Sequence, residues 1–173
     1  LTELESETKN EPAIYFQLGL NYFDIENYSN ALKNFEKAEI LKPEDFNIKE
    51  GIFKVYQQQK QYTKAIESAK SLLAKDAAYY ETLANLYLIT KQYKKALEAL
   101  EASDLTQGFQ VHKDELREVI FEEYNQPEIA VEYYKNRIEQ EPYNPMNHYR
   151  LVSFLCSVCI VQEAIPAWKE ALE

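Results

Sequence analysis

The residues with the most chemical potential are Cys156 and Cys159, a Cys-x-x-Cys pair of the kind that forms a redox disulfide or gives two thiolates to zinc. Either use needs a context. A redox pair of this spacing follows a strand, whereas this one falls in an apolar helical stretch, Leu151 to Val161. A zinc site needs further ligands, and His148 stands 11 residues before Cys159, about 16 Å along a helix. The pair therefore reads as two small apolar residues in or near the core, where free cysteine is commonly found. Glu122 and Glu123 are adjacent carboxylates, but neighbours on a helix point in different directions and make a weak acid–base pair. Gly19, Gly51 and Gly108 are isolated, so no phosphate loop can form, and no His-Glu-x-x-His or nucleophile-elbow pattern occurs. No catalytic residue, cofactor or metal is expected, and the chain reads as non-enzymatic.

Without chemistry to position, the elements themselves become the question. Of 173 residues, 46% are apolar and 28% charged, and only 3 Gly and 6 Pro are available for turns, which favours helices joined by short connections. The formal charge of -10 repels phosphate backbones and anionic lipid surfaces, which argues against nucleic-acid and membrane partners. No apolar run is long enough for a membrane span, and residues 1–11 are acidic and polar, unlike a signal peptide. The chain starts at Leu1 and ends at Glu173 inside a helix-forming stretch, so it reads as a piece of a longer, soluble protein. With no disulfide scaffold, a reducing compartment such as the cytoplasm is favoured.

Self-similarity is strong. Tyr28-Ser-Asn-Ala31, Tyr62-Thr-Lys-Ala65 and Tyr93-Lys-Lys-Ala96 are followed by weaker copies ending in Ala130 and Ala164. The alanine steps, 31 to 65, 65 to 96, 96 to 130 and 130 to 164, are 34, 31, 34 and 34 residues. Neighbours keep the same phase: Tyr22, Tyr56, Tyr87, Phe121 and Leu155 precede the alanines by nine residues, and Phe35, Ala69, Leu100, Tyr134 and Trp168 follow by four. Each unit is then a hairpin, with an A helix, a short turn and a B helix opened by the alanine, which lets two helix axes approach closely. Asp45 and Asn144 are suited to cap helices, and Pro145 suits a first helical position.

The first unit carries Tyr15-x-x-Leu18-Gly19-x-x-Tyr22, then Ala31, Phe35, Ala38 and Pro43, and this pattern resembles the tetratricopeptide repeat family. The resemblance implies an all-α, right-handed superhelical solenoid of antiparallel hairpins, with repeats near 12–45, 46–76, 77–110, 111–144 and 145–173. It implies that Gly19 lies at the A/B crossing and that Pro43, like Pro142, follows helix B. Three departures stand out. The short second step demands a tighter turn at Lys75 to Ala78 or a shorter B helix, and Thr106 to Gln110 reads as an irregular connection. Strict phase puts Arg117 and Glu118 where Leu18 and Gly19 stand, and a one-residue slip to Leu116 and Ile120 would restore an apolar face with a longer turn. Pro166 should kink the fifth B helix unless it lies in its first turn.

Hairpins cannot bury their apolar faces alone and must stack, which curves the array into a concave groove. In the resembled family the A helices line this groove. Residue by residue this implies Phe16, Leu20, Phe23 and Asp24; Asn47, Glu50, Lys54, Gln57 and Gln58; Glu81, Asn85, Leu88 and Ile89; Glu115, Val119, Glu122 and Glu123; and Tyr149, Ser153 and Cys156. An apolar start and an excess of carboxylates over Lys54 predict a basic protein or peptide partner with apolar anchors. The other reading is that Phe16, Leu20 and Phe23 pack on a further segment. The family subclass that clamps a C-terminal carboxylate with Lys, Asn and Arg is not matched, because its places hold Phe16, Leu20, Gly51, Ala78 and Thr82. Two functions follow: a non-catalytic interaction module binding a segment in the groove, or an assembly segment that contacts partners through its convex face or terminal helices. Oligomeric state is not encoded in any pattern found here.

Overall fold

A computed structural model describes residues 2–104, 110–160 and 164–166, with side chains placed for 11–103, 113–160 and 164–166. The described residues form helices and turns with no strand. They fall into two compact units, Leu1–Phe109 and Gln110–Glu173. The first holds α1 (Thr2–Asp24), α2 (Tyr28–Leu41), α3 (Phe46–Gln58), α4 (Tyr62–Leu72), α5 (Tyr79–Ile89) and α6 (Tyr93–Asp104). The second holds α7 (Gln110–Tyr124), α8 (Pro127–Gln140) and α9 (Pro145–Ser157), and residues 164–166 are helical as well. Helix α1 runs from Thr2 through Pro12 to Asp24. Of the stretch from Thr106 to Gln110 only Gln110 is described, and Trp168 and the body of the fifth B helix also lie outside the described residues.

Local chemistry places the helix ends where the phase requires. The Asp45 carboxylate accepts from the Asn47 amide at 3.0 Å, and Asn144 accepts from the Met146 amide at 3.1 Å with Pro145 opening α9. The short step is absorbed by the B helix, because α4 has 11 residues where α2 has 14. Five A-to-B turns use one device. Glu26, Lys60, Lys91, Asn125 and Cys159, each five residues before its alanine, all take a left-handed backbone with φ between 52° and 61°. In four of them the next amide bonds back to the residue nine before the alanine: Asn27 to Tyr22 and Gln92 to Tyr87 at 2.8 Å, Gln61 to Tyr56 and Ile160 to Leu155 at 2.9 Å. This six-to-one bond closes those four A helices, yet none of the five left-handed residues is the glycine that such a turn prefers.

The packing confirms the anchor residues. Ala31, Ala65, Ala96 and Ala130 are fully buried and Ala164 is 4% exposed. In the first hairpin the Phe35 ring fills the space between two glycines on successive A helices. A Cβ at Gly19 would lie 2.5 Å from two Phe35 ring atoms, and one at Gly51 would lie 2.9 Å from two. In the second hairpin the sizes are exchanged: Phe53 stands in the phase of Gly19 and Ala69 in that of Phe35, and both are buried. The third uses Ala84 and Leu100, again one small and one large. Total volume at the crossing is conserved while its donor changes, as close packing demands.

The second unit departs from this rule in a way the sequence reading misjudged. No slip occurs. Lys113 and Arg117 keep strict phase with Ile48 and Ile52 of α3, and both are 1% exposed, while Leu116 and Ile120 are buried beside them. The turn after α7 keeps its length, with Asn125 in the shared left-handed position. Burial of cations is tolerated because counter-charges come with them. Arg117 donates to Asp114 at 2.9 Å and stacks its guanidinium 4.6 Å from the Tyr133 ring centre. Arg150 reaches across from α9 to Asp114 at 3.5 Å and to Glu118. Burial first, and the Glu118 charge second, push the Tyr134 hydroxyl well above the ordinary phenol range.

The cysteines also differ from expectation. Both are exposed rather than in the core. The physical reason is that α9 ends at Ser157, and Cys159 becomes the left-handed residue of the turn, its amide bonded to the Cys156 carbonyl at 3.2 Å.

These features set three expected outcomes. Gly19→Ala should destabilise the first hairpin by about 1–3 kcal/mol through overpacking, and Phe35→Leu in the same chain should recover part of the loss, as read by urea unfolding. Lys60→Gly should raise stability by about 0.5–1 kcal/mol by relieving the left-handed backbone, and Asn125→Gly should gain less because asparagine tolerates that region. Arg117→Ala should cost about 3 kcal/mol by leaving buried carboxylate charge underpaired, seen as an earlier transition in chemical denaturation.

Candidate protein-binding face

The A helices of the first unit present the residues that the repeat phase assigned to a binding face. On α1, Phe16, Leu20 and Phe23 are half-buried and Asp24 is exposed. The apolar three are partly engaged. Phe16 lies 5.7 Å from Phe35 between ring centres, Phe23 meets Tyr28 edge-on at 5.5 Å, and all three pack against the core of the first hairpin. The Phe16 and Phe23 rings are thus shared with Phe35 and Tyr28 of α2.

On α3, Asn47, Lys54, Gln57 and Gln58 are exposed and Glu50 is half-buried. The sequence reading treated Glu50 as available charge, but Lys54 pairs with it at 3.0 Å, one helical turn away. Glu50 also hydrogen-bonds Tyr79, whose hydroxyl is pushed up to about 12 by burial first and by the charges of Glu50 and Asp76 next. On α5, Glu81 and Leu88 are half-buried, and Asn85 and Ile89 are exposed, with the Asn85 side chain donating to the Glu81 carbonyl at 3.0 Å. Phe16 also joins Pro12, Ala13, Ile48, Lys42 and Asn47 around a small crevice of about 110 Å³ between α1 and α3.

In the second unit Glu115, Val119, Glu122 and Glu123 of α7 and Tyr149, Ser153 and Cys156 of α9 are all exposed. Tyr149 is 59% exposed and Val119 42%, so this unit carries apolar surface of its own. The Arg117–Asp114–Arg150–Glu118 network was not read from the sequence as a unit. The available signal was two cations in apolar phase, Lys113 and Arg117, each followed directly by a carboxylate, Asp114 and Glu118. Among the described residues no group of three or more His, Cys, Asp or Glu could hold a metal ion, and no helix is long and apolar enough to cross a membrane.

With that geometry in view, similarity to known proteins can be placed. Residues 12–45 match the family model of the tetratricopeptide repeat. No curated protein sequence matches the chain. Among solved structures, a MamA protein is similar with a TM-score of 0.66 and 18% identity, over 95% of this chain and 91% of that one. YrrB, described as a TPR protein with an unusual peptide-binding site, is similar with a TM-score of 0.62 and 16% identity, over 99% of this chain and 90% of that one. PilF of Pseudomonas aeruginosa gives 0.55 and 19%, over 95% of this chain and 75% of that one. At such identities the likeness is one of fold. Residues 12–45 thus carry a tetratricopeptide repeat, and the fold of the chain as a whole is similar to that of these solved structures.

Proposed function

We propose that the chain is a non-catalytic interaction module whose A-helix face binds a segment of a partner protein. One observation carries this reading. Phe16, Leu20 and Phe23 form a half-open apolar cluster on α1, next to the exposed polar side chains of Asp24 and, on α3, Asn47 and Gln57. Buried aromatics with an open side supply apolar contact area at low entropic cost, while flanking polar groups orient a ligand. YrrB, a chain of similar fold, is described with an unusual peptide-binding site, which supports peptide binding as a use of this fold. Because Glu50 is already paired with Lys54, the charge offered by the first unit is smaller than the sequence suggests, and apolar anchoring outweighs electrostatic steering there.

A second reading rests on a different surface. Ile48 and Ile52 of α3 pack on the core that α2 contributes, and the residues in the same phase on α1 are Ile14 and Leu18, which are 55% and 38% exposed. Ile25, in the turn that follows α1, is 69% exposed. An assembly segment would use this stacking face to join another helix.

The readings separate in one experiment. Partners captured from a lysate are compared for the chain and for Phe16→Ala with Phe23→Ala, Asp24→Lys with Gln57→Lys, and Ile14→Asp with Leu18→Asp. The binding-face reading expects the first double variant to speed dissociation by about tenfold and the second to change mainly the association rate and its salt dependence. Loss of the partner only in the third variant would replace it with the assembly reading.

A further inference from the structure

The face of α8 turned away from the buried Ala130 and Tyr134 is a groove of about 580 Å³. It lies on a B helix and is independent of the A-helix face discussed above. Glu128, Val131, Glu132, Lys135 and Glu139 follow one another along it at helical spacing, and Ile160, beyond the end of α9, also lines it. From Glu128 to Glu139 the stripe covers about 16 Å, three turns of helix. Val131 and Ile160 are half-buried and give it an apolar part. Glu128, Glu132 and Glu139 are exposed and none is ion-paired with another described residue, so among the described lining residues three carboxylates stand against one cation, Lys135.

We propose that this groove docks a basic amphipathic helix from a partner protein. A straight stripe three turns long on a single helix matches a partner helix laid along it, with apolar side chains on Val131 and Ile160. The surplus of two negative charges selects lysine or arginine at positions that meet Glu128 and Glu132, four residues apart, and Glu139 further along. The same surplus disfavours a second copy of this chain, since a two-fold interface would set this acidic face against itself. It also repels nucleic acid.

The test uses the whole chain and a labelled leucine–lysine peptide of about 14 residues ordered as an amphipathic helix, with a scrambled peptide of the same composition as its control. Fluorescence anisotropy should show the ordered peptide binding about tenfold tighter than the scrambled one, and binding should weaken as salt is added. Val131→Asp, and separately Glu132→Lys with Glu139→Lys, should each weaken it by about tenfold. Glu98→Lys, an exposed charge reversal on α6, should leave it unchanged. Carbodiimide labelling followed by mass spectrometry should modify Glu128, Glu132 and Glu139 in the free chain and spare them once peptide is bound. Equal affinity for the scrambled peptide would show adhesion to net charge and overturn the proposal. So would protection of the three carboxylates before peptide is added, which would mean that the chain itself or a second copy covers the groove. Protection of Asp24 instead of the α8 carboxylates would likewise overturn it, by moving the peptide to the A-helix face.

Discussion

The Phe35 ring held between Gly19 and Gly51 sets the geometry of the first unit. It joins three helices at once, since the ring belongs to α2 and the glycines to α1 and α3, and neither glycine can gain a Cβ without displacing it. The distance from an A helix to its own B helix and to the next A helix is thus decided by one side chain. The later hairpins bury other residues at the corresponding positions, Phe53 with Ala69 and Ala84 with Leu100. A core that conserves volume while changing which helix supplies it can stack repeats of different sequence without strain.

A helix face is useful for binding only if its direction is held. The five left-handed turns do this by ending each A helix at the same phase, five residues before the buried alanine. That none of them uses glycine carries a small stability cost at every hairpin. The cost is borne because the six-to-one bond and the alanine contact behind it determine the backbone there more strongly than the residue's own preference does.

The second unit replaces apolar contact with charge. Arg117, Asp114, Arg150 and Glu118 link α7 to α9, and the Tyr133 ring covers the guanidinium. A buried ionic network gains little stability over a hydrophobic core of the same volume, but it tolerates few alternative partners. It therefore favours specificity of packing in this unit, where the apolar pattern is weakest. Its Asp114 is drawn inside, whereas Glu128, Glu132 and Glu139 of α8 remain on the surface.

Much of the fold was legible in the sequence because a 34-residue period leaves its mark on many positions at once. The alanines, the residues nine before and four after them, and the capping residues Asp45 and Asn144 all respond to short-range constraints, helix periodicity and turn chemistry, that a linear pattern expresses directly. The candidate face was legible only as a set of positions. Which of those side chains are open was decided by the tertiary structure, because Phe16 and Phe23 share their rings with α2, and Glu50 has Lys54 one turn away and Tyr79 from the next hairpin. The register of α7 was left open between strict phase and a one-residue slip for a related reason. Sequence pattern treats a cation in apolar phase as an error to be repaired, and only the Tyr133 ring from α8, set over a guanidinium already paired with Asp114, makes a buried arginine acceptable. Cys156 and Cys159 show the same limit, since hydropathy cannot tell the last turn of a helix from the exposed turn that follows it. What the chain encodes locally is its helices and their spacing; what contacts between distant segments decide is which charges are paired and which faces remain open.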